Sequence, residues 1–240
     1  MPDTRSHRGP APNDDRLFDH AAADKLTRAV ADYSLLLTKG YAEVSALKLV
    51  GDRFSLTQRQ RLAVMRSACS DRQLSLRKEH QIDIPTLSSE QVAVDGYNLL
   101  ITIEAAISGG FIFVGRDGCC RDLASIHGTY RKVCETLPAL ELIVDFVNSL
   151  KPAAVTWLLD KPVSNSGRLK KIMEDSLLGE FGNWTAKLVV SPDAELISTD
   201  AIVVSSDSVI LDGCARWTNL AAAIIHRKIP SAKLIDFSYI

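Results

Sequence analysis

Three aspartates each close a short apolar run. Asp95 follows Val92-Ala93-Val94, Asp160 follows Val155-Thr156-Trp157-Leu158-Leu159, and Asp207 follows Ile202-Val203-Val204 and two serines. Continuous apolar runs of this length are the pattern of strands buried on both faces of a parallel sheet. The strands of such a sheet all end on one side, and open α/β folds bind their ligands outside those ends. If the three strands are neighbours, three carboxylates meet in one notch. Carboxylates so placed resist ionising together, and a divalent cation resolves the conflict. Donor sets made only of oxygen suit Mg²⁺ or Mn²⁺ rather than zinc. A cation held there can orient a water and stabilise charge on a phosphoryl oxygen, which is the chemistry of phosphodiester hydrolysis.

Other residues fall around this constellation. Asp117, after the run Phe111–Val114, is a fourth acid for the same edge. Asn98 is placed to orient a carboxylate or to fix the glycine turn that begins at Gly96, and Arg116 and Arg121 are placed to face phosphates. The loop Ser164-Asn165-Ser166-Gly167 opens a helical pattern next to Asp160, where unpaired backbone N–H groups and the positive helix end can receive a phosphate. Ser206 and Ser208 add hydroxyls beside Asp207. A single Asp after a strand is commonly a turn former or helix cap, so the argument rests on recurrence. His127 reads as a helix residue and Cys119-Cys120 as packing, since adjacent cysteines rarely meet disulfide geometry.

These residues need elements to position them. From residue 91 onward, short apolar runs alternate with stretches of helical spacing, which predicts right-handed crossovers and a mostly parallel sheet with helices on both faces. The predicted strands cover Val92–Asp95, Phe111–Val114, Ala153–Asp160, Trp184–Val190, Ala201–Ser208 and Leu234–Phe237; the predicted helices cover 99–108, 119–135, 140–150, 168–178 and 217–227. Residues 1–15 read as a disordered tail, 16–82 as a small all-helical domain, 83–90 as a linker and 91–240 as the α/β domain. In the helical domain one helix runs from Leu17 to about Lys39, and another starts behind Thr57, a good N-cap. The latter helix carries Arg59, Arg61 and Arg66, which are candidate contacts to RNA or DNA phosphates.

The totals bound the function. With 240 residues and 46% hydrophobic content, the chain can bury a real core. A formal charge of −1 excludes a uniformly basic nucleic-acid binder. The charge is uneven, however: residues 40–80 hold eight Lys/Arg against four Asp/Glu, and residues from 91 on hold 14 against 17. A basic module before an acidic one suits a nucleic-acid grip joined to a metal site. Five cysteines at spacings unlike any zinc pattern read as reduced thiols. No apolar leader or membrane-length run is present in the sequence, so a cytoplasmic location is expected.

Val94-Asp95-Gly96-Tyr97-Asn98 resembles the opening strand motif of the NYN branch of PIN-like nucleases, where the first metal acid sits in a D-G-x-N context. Leu159-Asp160 and Ser206-Asp207-Ser208 are similar to that superfamily's later acidic positions. The resemblance covers residues 91–237. It implies Asp95, Asp160 and Asp207 as ligands of Mg²⁺ or Mn²⁺, with RNA as substrate. A further acid on the helix after the first strand is common in such enzymes, and Glu104 is the residue here that could supply it. The whole chain also resembles an uncharacterised prokaryotic family that joins a helical domain to such an α/β domain. Its marks are Ser45–Arg53 with Arg59-Gln60-Arg61, and Asp160–Gly167. Two other functions fit the same residues: a non-catalytic nucleic-acid-binding protein with this fold, and a small-molecule phosphohydrolase or nucleotide-binding enzyme using the 164–167 loop.

Overall fold

The computed structural model of the chain describes residues 7–124, 129–176 and 182–240. His127 lies outside the described residues.

The α/β part is built on a five-stranded sheet in the order β5-β4-β1-β6-β7. Its strands are β1 (Gln91–Asp95), β4 (Ala154–Asp160), β5 (Trp184–Val189), β6 (Ile202–Val204) and β7 (Trp217–Thr218), all paired in parallel. The apolar runs that end in Asp95 and Asp160 are therefore direct neighbours. The run leading to Asp207 adjoins β1 on its other side.

Each strand divides its side chains between two cores, as a pleated strand must. Val92, Val94, Val155, Trp157, Ile202 and Val204 enter the larger one. This core is roofed by α6 (Gly96–Ile107), α7 (Thr136–Ser149), α8 (Ser166–Ser176) and α11 (Leu220–Lys228). Ala93, Leu158 and Val203 enter the smaller one, under α9 (Pro192–Ser198) and α10 (Ser208–Gly213). Helices thus cover both faces.

Helix α6 is buried almost all round, from Gly96 to Ala106. It lies between the main sheet and a second sheet, β3-β2-β8. In that sheet β2 (Phe111–Val114) runs parallel to β8 (Lys233–Asp236) and antiparallel to β3 (Cys120–Arg121). Here the structure corrects the sequence reading. The Phe111–Val114 run does not join the main sheet. Residues 119–124, expected in a helix, form the short strand β3 and a coil, because Cys120 and Arg121 pair with Val114 and Phe113.

The helical unit contains α1 (Asp14–Leu17), α2 (His20–Thr38), α3 (Glu43–Arg53), α4 (Gln58–Ser67) and α5 (Asp71–His80). The single helix expected from Leu17 to Lys39 starts instead at His20, behind an Asp19 N-cap. Thr57 caps α4 as expected, and Gln60 completes a capping box. Leu26, Val30, Val50 and Val64 pack with Phe113, Leu123 and Phe237 of the second sheet and its flanks. Phe18 sits edge-on to Phe113 with ring centroids 4.9 Å apart. The helical unit therefore shares a core with the α/β unit.

Two segments read as connecting chain are built into the body. Residues 84–87 form a 3-10 turn whose Leu87 is fully buried in the main core. Arg8, expected in a tail, is buried: its Nε donates to Glu104 at 2.9 Å and its Nη2 to the Arg131 carbonyl at 3.0 Å. No helix among the described residues is long and apolar enough to cross a membrane.

Candidate functional site

Register decides what meets at the C-terminal edge. Asp95 stands opposite Leu158, and Asp160 lies two residues further along the same strand, so both carboxylates leave the same face. Val94 stands opposite Val204, which brings Ser205 beside Asp95. The Ser205 hydroxyl donates to Asp95 at 2.7 Å and accepts from the Asp207 amide at 3.0 Å. Asp207 caps α10, accepting from the amides of Val209 and Ile210. Helix α9 begins on the same face, with Ser191 as N-cap, Pro192 at its start and Asp193 in its first turn.

The edge thus carries four carboxylates: Asp95 and Asp160 from strand ends, Asp193 and Asp207 from helix starts. Their fields overlap. Asp95 is buried, and its pKa is pushed up to about 7, first by desolvation and then by Asp207 and Asp193, against the pull of Ser205. Asp160 is raised by burial and by Asp193. Asp193 is raised by burial and by Asp207. None of the four forms an ion pair with a described residue. Every other buried acid among the described residues is paired or hydrogen-bonded to a cation-bearing neighbour, as Glu104 is to Arg8 and Asp117 to Arg77 and Arg121.

Asp193 was not singled out by sequence. The signal was there: Ser191-Pro192-Asp193 is a helix start, with a capping serine, a first-turn proline and an acid.

The donor set has the right chemistry for a hard cation but is not a closed cage. Among the described residues no three Asp, Glu, His or Cys side chains converge on one metal position. The triad expected of Asp95, Asp160 and Asp207 is therefore spread along the edge. Such a set fits Mg²⁺, which usually takes only one or two carboxylates and completes its shell with water and substrate phosphate.

Several other expectations are corrected. Asp117 is not at this edge, since its strand belongs to the second sheet. Burial alone would raise its pKa, but Arg121 and Arg77 hold it well below the usual carboxylate range, at N–O distances of 2.7 and 2.6 Å. Arg121 is consumed by that pair and by the Ser206 carbonyl, 2.7 Å away. Arg116 bonds Asp71 and the carbonyls of Cys69 and Ile240. Glu104 is sealed in the core with Arg8, Tyr130 and Thr136.

Asn98 fixes the β6–α10 loop, accepting from the Ser206 amide and hydroxyl, both at 2.9 Å. The Ser206 hydroxyl is thereby spent on structure, and the Ser208 carbonyl faces Arg77. In the 164–167 loop, Asn165 adopts a φ of 70° and donates to the Tyr130 carbonyl, while the Ser166 hydroxyl turns back to the Lys161 carbonyl. Gly167 is exposed there. Arg59 pairs with Asp14, Arg61 with Asp52, and Arg66 with the carbonyls of Asp122 and Ala124.

Gly96 is required for space rather than for a left-handed turn. A Cβ there would stand 2.6 Å from Leu159 Cδ2 and 2.8 Å from the Leu158 carbonyl. The glycine lets α6 start against β4, which holds Asp95 beside the strand that carries Asp160. A hollow of about 450 Å³ opens beside Asp207 and Asn98; its far wall is Tyr33 of α2 and Met65 and Arg66 of α4. Tyr97 lines it too, and its buried hydroxyl has no hydrogen-bond partner among the described residues.

Fold and site define an α/β protein with a helical N-terminal unit packed against it and an uncompensated acidic edge on its parallel sheet. Family comparison finds two models that match successive parts of the chain. The model described as "Domain of unknown function (DUF5616)" matches residues 84–223, and the one described as "Protein of unknown function (DUF434)" matches residues 25–80. The first covers more than half of the chain, and the chain belongs to the DUF5616 family. "Uncharacterized protein MJ0935" of Methanocaldococcus jannaschii is 31% identical over 150 residues, which is 62% of this chain and 72% of the relative. No solved structure matches the chain.

Proposed function

We propose that the protein is a Mg²⁺- or Mn²⁺-dependent phosphodiesterase of PIN/NYN-like type acting on nucleic acid, with RNA as the preferred substrate. One observation carries the reading: four carboxylates share a sheet edge without an ion pair among the described residues, and the buried one, Asp95, is pushed up to about 7. Uncompensated buried acid is costly, and a divalent ion removes the cost. Asp95 and Asp207, linked through the Ser205 hydroxyl, would hold the ion, with water and substrate phosphate completing its shell and Asp160 and Asp193 adding negative field. When bound, the ion supplies Lewis-acid stabilisation of a phosphoryl oxygen and a polarised water. The chain's own work is positioning: Ser205 orients the Asp95 carboxyl, and Asn98 holds the loop that carries Asp207. The resemblance of Val94–Asn98 and Ser206–Ser208 to PIN-like motifs supports the same reading.

The absence of three converging ligands among the described residues favours a second reading, a nucleic-acid-binding protein without catalysis. Incubation of the protein with labelled single-stranded RNA, with Mn²⁺ or with EDTA, separates the two. The first reading expects cleavage only with Mn²⁺, and a loss of at least a hundredfold in Asp95→Asn. Cleavage that persists in Asp95→Asn, or no calorimetric binding of Mn²⁺ up to millimolar concentration, removes it.

A further inference from the structure

A hollow larger than the one beside Asp207 lies elsewhere in the molecule. It is a groove of about 1420 Å³ where the helical and α/β units meet. Its walls hold Arg16, Arg59 and Arg61 from the helical unit and Arg131 and Arg168 from the α/β unit, against one acid, Asp14. A second hollow of about 460 Å³ shares Arg131, Asn165 and Arg168 with it and adds Lys132, with no acid in its wall. At the other end the groove shares Met65 and Ala124 with the hollow beside Asp207. A protein of formal charge −1 thus gathers six cations in the walls of two adjoining hollows, and the larger shares wall residues with the hollow that Asp207 lines.

Three of the six are uncommitted. Arg16, Lys132 and Arg168 are exposed and make no ion pair among the described residues. Structural ion pairs do not account for them. Arginine forks match phosphate oxygens in bidentate geometry, and five of the six are arginines. Between the arginines the floor is apolar, with Leu17, Leu62 and Leu123, a surface on which unpaired bases can lie.

We propose that this groove binds a single strand of nucleic acid through its phosphates and guides it toward Asp207, so that the helical unit supplies half of the substrate site. The inference rests on the phosphodiesterase reading for the direction of the strand but not for binding itself. The source of affinity is electrostatic and independent of the metal, which sets the test apart from the cleavage assay.

The measurement is fluorescence anisotropy of a fluorescein-labelled oligouridylate 20-mer in EDTA, for wild type, Arg16→Glu/Arg168→Glu, and a control pair of equal charge change outside the groove, Lys39→Glu/Lys228→Glu. The groove pair should weaken binding at least tenfold more than the control. Its slope of log Kd against log salt should fall by about 1.4, since each single-strand phosphate contact contributes about 0.7. Urea midpoints matching wild type verify folding. Equal losses in the two pairs, or unchanged binding in the groove pair, overturn the proposal. Displacement of the RNA by polyglutamate at equal charge concentration overturns it too, in favour of an acidic-peptide site. If the groove pair binds RNA as wild type does while wild type cleaves with Mn²⁺, the groove fails and the hydrolase reading stands; salt-dependent groove binding without any cleavage gives the converse.

Discussion

Asp95 is the residue on which the acidic edge turns, because it alone of the four is deeply buried. Its folded pKa of about 7 lies above the ordinary aspartate value of 3.8. The native state therefore binds more protons than the unfolded chain between about pH 4 and pH 7, and stability falls as pH rises through that window. In EDTA, wild-type stability from urea titrations should drop by a few kcal/mol between pH 4.5 and pH 8, as an order of magnitude. Asp95→Asn, which keeps an acceptor for Ser205, should flatten that limb and be the more stable protein at pH 8. Parallel pH profiles for the two proteins would show that burial of this carboxyl is not what strains the edge. Adding millimolar Mg²⁺ at pH 8 should stabilise wild type and leave the variant unchanged, as ligand linkage requires. Asp95, Asp160 and Asp207 were legible in sequence because each ends an apolar strand. Asp193 was harder to see because it opens a helix, and its strand ends earlier, at Val189. Asp117 looked equivalent to the others because no local pattern reveals Arg77, 40 residues upstream, as its partner.

Among the elements, α6 does the most, since its start sets Asp95 and Asn98 and its far end buries Glu104. Strands β1, β2, β4, β5, β6 and β8 were legible because continuous apolar runs have few other uses, whereas β7 was read as the start of the following helix, which begins instead at Leu220. The stretch 119–124 was not legible, because its polar and apolar spacing imitates a helix while Cys120 and Arg121 are captured by β2, a tertiary choice. Two substitutions probe α6. Alanine is a better helix former than glycine by about 1 kcal/mol, yet Gly96→Ala puts a Cβ 2.8 Å from a backbone carbonyl that cannot swing aside. The clash should win, with a net loss of about 1–3 kcal/mol in urea unfolding; a stabilised Gly96→Ala would mean that α6 stands off β4. At the other end, Arg8→Met leaves Glu104 in the core with only hydroxyl donors. Breaking a buried pair from one side costs about 3–5 kcal/mol, and Tyr130 and Thr136 place this case at the lower end. Burial already pushes the Glu104 carboxyl up, with Arg8 the largest opposing influence. Without Arg8 its folded pKa rises further, so the penalty should grow as pH rises above the usual carboxylate range and shrink at pH 4.5. A pH-independent loss would assign Arg8 a packing role only.

At the scale of the whole molecule, the two family matches abut at residues 80 and 84, which invites division of the chain there. The packing argues against it. Phe113, Leu123 and Phe237 belong to the core of the helical unit as much as Leu26 or Val64 does. Arg77 of α5 is fully buried, and it bridges Asp117 and Asp212 of the α/β unit at 2.6 and 2.7 Å. The helical composition of residues 16–82 was readable from periodicity, but this interlock was not, because Arg77 meets partners 40 and 135 residues further along the chain. A fragment of residues 84–240 would expose an aromatic face and leave Asp117 with Arg121 alone. Exposed apolar surface of that kind favours association. The full chain should therefore unfold in urea in one cooperative transition, coincident by tryptophan fluorescence and far-ultraviolet circular dichroism. The fragment should be aggregation-prone, or unfold at a clearly lower urea midpoint. Two resolved transitions in the full chain, or a monomeric fragment with an unchanged midpoint, would make the helical unit an appendage. The groove would then be a gap between neighbours rather than a site that both units are folded to build.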